Sequence, residues 1–212
     1  MATFPRTVFT AGSAAMSGLV NTAADLGFTT DADFDAQGAM AAIVQNMAQD
    51  KSQTISAGAG ITSGTGTICK SSVTTEGGVI TTRFLIDLTG LGSSATGDDI
   101  IGNGTGVAYI GQITAAVNGT IKGGRMVCLE ATAGGDADVD LWAATENTGA
   151  FDAAISGLVE AQVFNSGGVS LGSVTPAVAD TPAANKYLYL CGGTGSAATY
   201  TAGRLLIEFY GV

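Results

Sequence analysis

The chain has 212 residues, 8 Lys+Arg against 18 Asp+Glu, a formal net charge of -10 and no histidine. Only 12% of it is charged, about half the roughly 25% of an ordinary soluble domain. An acidic chain whose Lys and Arg are scattered singly opposes binding to nucleic-acid phosphates. The lack of histidine removes the commonest acid–base group at neutral pH and disfavours an enzyme.

The first six residues, Met1 to Arg6, show no charged stretch followed by an apolar core, so no secretory signal is expected. No run approaches the ~20 apolar residues of a membrane-spanning helix, so no membrane association is expected either. Residues 1 to about 30 are small, polar and weakly patterned, which predicts an extended arm reaching a neighbouring subunit. Met40, Ile43, Val44 and Met47 recur at helical spacing and predict one helix near residues 34–50. Asp31, Asp33 and Asp35 precede it. They suit the positive end of the helix dipole, and Asp33 or Asp35 suits the cap. The same three open like a calcium loop, but Ala36 and Ala42 stand where that loop needs glycine and glutamate.

From about residue 54 the hydrophobic period changes to two. Ile80, Thr82, Phe84, Ile86 and Leu88 share one face of a strand, with Arg83 and Asp87 on the other. Further strands are predicted over 67–73, 106–114, 121–131, 139–144, 159–164, 186–191 and 200–210. In the last, Leu205, Ile207 and Phe209 alternate with Arg204, Leu206 and Glu208. Glycine-bearing breaks separate many of the runs, and Asn118-Gly119 predicts a hairpin between the strands around it. The expected fold is all-β, a β-sandwich or jelly roll over 54–212 with an N-terminal arm and helix over 1–53. Cys69, Cys128 and Cys191 lie in or beside apolar runs without paired spacing and read as small buried hydrophobes.

Asp136, Asp138 and Asp140 are the candidate metal ligands. In a strand they would line one face at about 7 Å spacing, either as a solvated face backed by Val139 and Leu141 or as a calcium site. No other cofactor is expected. The glycine-rich stretches around Lys70 and Asn103 fail the spacing of phosphate-binding loops. No nucleophile–base arrangement appears, and no carboxylate pair stands out by its spacing.

Several stretches resemble virion structural proteins of marine tailed bacteriophages. They are Thr65–Val73, Ile80–Leu91, Asp99–Gly102, Ala108–Ile113, Gly134–Leu141 and Tyr200–Glu208. The resemblance runs from about residue 54 to the end and carries over no catalytic residues. It implies a capsid decoration, or cement, protein at the virion surface, made in the host cytoplasm. Its partners would be the major capsid protein and further copies of itself, expected as a homotrimer. The alternative expectation is a fibre or receptor-binding module for a host glycan or protein.

Overall fold

The chain divides into two units, Met1–Lys51 and Ser52–Val212. The computed structural model describes residues 55–177 and 182–212, all within the second unit. The expected arm and the helix near 34–50 lie outside the described residues.

The described chain forms twelve strands. These are β1 Ile68–Glu76, β2 Val79–Asp87, β3 Gly92–Ser93, β4 Asp99–Ile100, β5 Tyr109–Ile113, β6 Ile121–Ala133, β7 Val139–Ala144, β8 Glu160–Phe164, β9 Val174–Pro176, β10 Lys186–Gly192, β11 Ala198–Thr199 and β12 Ala202–Gly211. Of two one-turn helices, α1 Ala59–Thr62 precedes the strands and α2 Ala115–Asn118 lies between β5 and β6. The first sheet has the order β1-β2-β12-β6-β9. The second has the order β4-β10-β7-β8, with β5 pairing β10 on the same edge as β4. A short ribbon joins β11 to β3. All pairings are antiparallel, and the protein is an all-β sandwich.

Alternation explains the core. Phe84 and Ile86 on β2, Leu205, Ile207 and Phe209 on β12, and Met126 and Cys128 on β6 all turn inward and are buried. They form one cluster with Ile110, Leu141, Phe164, Leu188 and Leu190 of the second sheet. Phe164 stacks on Phe209 across the two sheets, with ring centroids 5.6 Å apart and 19° between planes. Burying aliphatic and aromatic side chains of this size contributes about 1.5–3 kcal/mol each. The three cysteines are free thiols, Cys128 and Cys191 buried and Cys69 half-buried. Burial pushes the Cys69 thiol up to about 11, so it stays protonated and packs as a hydrophobe.

Two turns separate what glycine does here. Gly77 and Gly78 both have positive φ, 57° and 83°, between paired Glu76 and Val79. That is the two-residue turn whose twist matches a hairpin. Asn118-Gly119 does something else, and the expected hairpin is corrected. Its flanking strands belong to different sheets, since β5 pairs β10 while β6 pairs β12 and β9. The Thr114 hydroxyl accepts from Val117 N–H at the start of α2, and the Asn118 side chain accepts from Thr114 N–H and donates to Thr82. Gly119 ends the turn at φ 65°. Gly119 N–H donates to the Ala115 carbonyl and closes the helical turn, and its φ of 65° with ψ of -159° is open to glycine, so this dipeptide carries the chain from one sheet to the other.

Candidate functional site

The acidic stretch 136–140 does not form one strand face. β7 begins at Val139, so Asp136 and Asp138 lie in the preceding turn. Asp136 is buried and its carboxylate accepts from Asp138 N–H, Thr194 N–H, the Thr194 hydroxyl, Gly195 N–H and Ser196 N–H. Burial pushes this carboxyl up, but those donors outweigh it and hold the group below its ordinary range. Its oxygens are thus spent on shaping the turn after β10. Asp138 accepts from the Ser166 hydroxyl at 3.0 Å. Asp140 points to a different set of partners, the Gln162 amide at 2.8 Å and Ser166 N–H at 2.7 Å. It is buried, and burial raises its carboxyl to about 6; the Ser166 and Gln162 donors oppose that rise, while nearby Asp138 and Asp98 add to it. Among the described residues no group of three or more acidic or thiol side chains is arranged to hold a metal ion.

A second feature is a cleft of about 320 Å³ at the β5 edge, lined by Tyr109, Gln112, Thr114, Val117, Tyr187 and the chain at Ile55–Ser56. Tyr109 and Tyr187 lie 5.0 Å apart between ring centroids, tilted by 60°. Neither ring offers a flat shared platform, and the chemistry of the cleft is that of a shallow, mixed polar and apolar contact.

The third feature is the outer face of the first sheet. Register sets it out in rows. One row is Leu85, Leu206, Val127 and Val174, on β2, β12, β6 and β9, with Lys70 beside Leu85 on β1. On one side of this row lie Arg83, Glu208 and Arg125. On the other lie Asp87, Arg204 and Glu130. Each row is an ion-pair ladder. Glu208 accepts from Arg83 Nε at 2.8 Å and Arg125 Nε at 2.6 Å, and Arg204 reaches Asp87 at 2.7 Å and Glu130 at 3.8 Å. Burial works against charge on Glu208, but the two guanidinium groups hold its carboxyl below its usual range.

All three arginines among the described residues therefore sit on this face. Glu208 is only 4% exposed, while Ile68, Leu129 and Val174 on the same sheet are 45%, 43% and 56% exposed. Sequence reading separated Arg83 and Asp87 from the apolar face of their strand and Arg204 and Glu208 from theirs. It did not bring the two strands together or include Arg125 and Glu130. The signal was there: three strands each carry an arginine and a carboxylate four or five residues apart, at 83/87, 125/130 and 204/208.

No family model matches the chain, and no curated protein or solved structure shows significant similarity to it.

Proposed function

We propose that the chain is a capsid decoration protein, which binds an assembled phage head and stabilises it through contacts between subunits. The observation that carries this reading is the outer face of the first sheet. It is a broad, ordered surface with an apolar row between two charged ladders, on a chain with few charges and net -10. Such a surface suits adhesion to other protein surfaces, because arginine and apolar side chains are favoured there. The mechanism is linkage: a protein that binds the closed shell and not its loose subunits shifts the equilibrium toward the shell by mass action. The N-terminal 53 residues supply the grip on the major capsid protein, and contacts among copies, proposed as trimers, complete the coat.

The test is co-sedimentation of the full chain with shells built from the major capsid protein alone, followed by imaging of decorated particles. Density on the head and loss of binding on removing residues 1–53 are the expected results. Normal coating by the shortened chain rejects the arm as the grip, and density confined to the tail rejects decoration. The tail result favours the second reading, a receptor-binding module, for which the Tyr109–Tyr187 cleft is the specific support. Glycan-array binding lost in Tyr187→Ala tests that alternative.

A further inference from the structure

The two charged ladders of the first sheet have alternating signs, and they alternate out of phase. Along one row the order on β2, β12 and β6 is Arg83, Glu208, Arg125; along the other it is Asp87, Arg204, Glu130. Consider a two-fold axis lying in the plane of contact, along the apolar row between them. Rotation about it sets a second copy face to face with the first, each strand over its own counterpart, and exchanges the two rows. Arg83 then faces Asp87, Glu208 faces Arg204 and Arg125 faces Glu130, each pair occurring twice. Every charge of the two ladders meets its opposite. A face that repeats its own pattern under a two-fold is the requirement for a contact between identical copies.

We propose that this face pairs with the same face of a second copy, with the row Leu85–Leu206–Val127–Val174 at its centre. Three further observations support that occupant. With Lys70 and Glu76, the face carries four cations and four carboxylates, so two chains of net -10 meet on a face that is itself neutral. Only the parts of the strands that reach equally far on both sides of the axis overlap, short on β1 and β2 and longer on β12 and β6. At about 3.3 Å per residue and about 4.8 Å between strands, they offer roughly 500 Å² of projected face. Side-chain relief brings this toward the about 800 Å² per partner of a standard stable interface. The half-exposed Val174 and Leu129 gain cover only if something lies over the sheet. Lys70 lies in the apolar row at the β1 edge and meets its own copy. It is the one like-charged meeting, and its long side chain can turn to solvent at the rim.

The pairing rests on the proposed function only in treating the chain as a subunit of an assembly. Its test contains no shells, so the two fail separately. Val174 lies on the axis, so any charge placed there meets itself. Sedimentation equilibrium of the full-length chain, Val174→Arg and Val174→Glu gives the mass of each. The expected result is that each variant has half the wild-type mass and keeps the wild-type far-ultraviolet circular dichroism, because Val174 lies outside the core, while its melting temperature falls by what the pairing contributed. Mixing the two variants restores the wild-type mass, since Arg then meets Glu across the axis. If the chain also closes into trimers, the masses are those of a hexamer and a trimer, and the factor of two remains. Equal masses for wild type and variants, a fall to one third, or a mixture that fails to recover overturns the pairing.

Discussion

Asp140 is the described carboxylate whose charge the fold opposes most plainly. It is buried on β7, paired with Cys191 of β10, and its carboxylate meets two neutral donors, Gln162 and Ser166. Its carboxyl rises from 3.8 to about 6. At about 1.4 kcal/mol per pH unit, keeping it charged in the native state costs about 3 kcal/mol. The native state binds this proton more tightly than the unfolded chain does. Its contribution to stability is therefore greatest below about pH 4 and is lost as pH rises through about 6. Asp140→Asn removes the charge and keeps the shape. The amide oxygen retains one donor, and the lost second acceptor costs about 1 kcal/mol. The net gain is about 2 kcal/mol at pH 7.5, or roughly 4–8 °C in melting temperature for a domain of this size. Urea unfolding of wild type and variant from pH 4 to pH 7.5 isolates this group, because every other titration is common to both. The difference curve is expected to be near zero or slightly negative at pH 4 and to climb through pH 6. A flat difference curve, or a variant less stable than wild type at pH 7.5, refutes the reasoning.

The other groups behave in the opposite sense or not at all with pH. Glu208→Gln removes the charge that two arginines share, and its loss is expected to cost about 2–3 kcal/mol in urea unfolding at pH 7. That penalty shrinks as pH falls, because the native carboxyl of Glu208 is held low and its contribution disappears on protonation. Asp136→Ala leaves the N–H groups of Thr194, Gly195 and Ser196 without their acceptor, and a loss of about 3 kcal/mol is expected. Since protein donors already occupy Asp136, melting of the wild type with and without EDTA is expected to coincide; a fall on chelation that Asp136→Ala abolishes identifies a cation there. Gly119→Ala places a methyl group 2.7 Å from the Val212 carbonyl oxygen at φ 65°. It is expected to cost more than 1 kcal/mol by thermal melting.

The inward faces of the long strands were legible in sequence. Phe84 and Ile86 are flanked by Arg83 and Asp87, and Leu205, Ile207 and Phe209 alternate with Arg204, Leu206 and Glu208; the charged members settle the face, since a period of two leaves a half-buried strand one choice. The same holds for β7, where Val139–Ala144 begins and ends as the pattern predicts. The hairpin at Asn118-Gly119 was misread because a glycine of positive φ serves a tight turn and the close of a helical turn equally well. Which one it serves depends on the partners of β5 and β6, distant in sequence. The aspartates at 136–140 were misread for a related reason. The two-residue spacing of the aspartates runs back past the first residue of β7, Val139, and Asp136 is held out of the strand by donors near residues 194–196, almost sixty residues away.

Sequence alone determined that this chain makes amphipathic strands, that it carries a net negative charge and that its cysteines are hydrophobes, because periodicity, net charge and spacing are local or additive quantities. Tertiary structure alone decided which charges meet. Strand order set β12 between β2 and β6, and register then brought Glu208 between Arg83 and Arg125 and Arg204 between Asp87 and Glu130. Pairing across strands is a long-range choice made by the whole core, and no window of the sequence contains it.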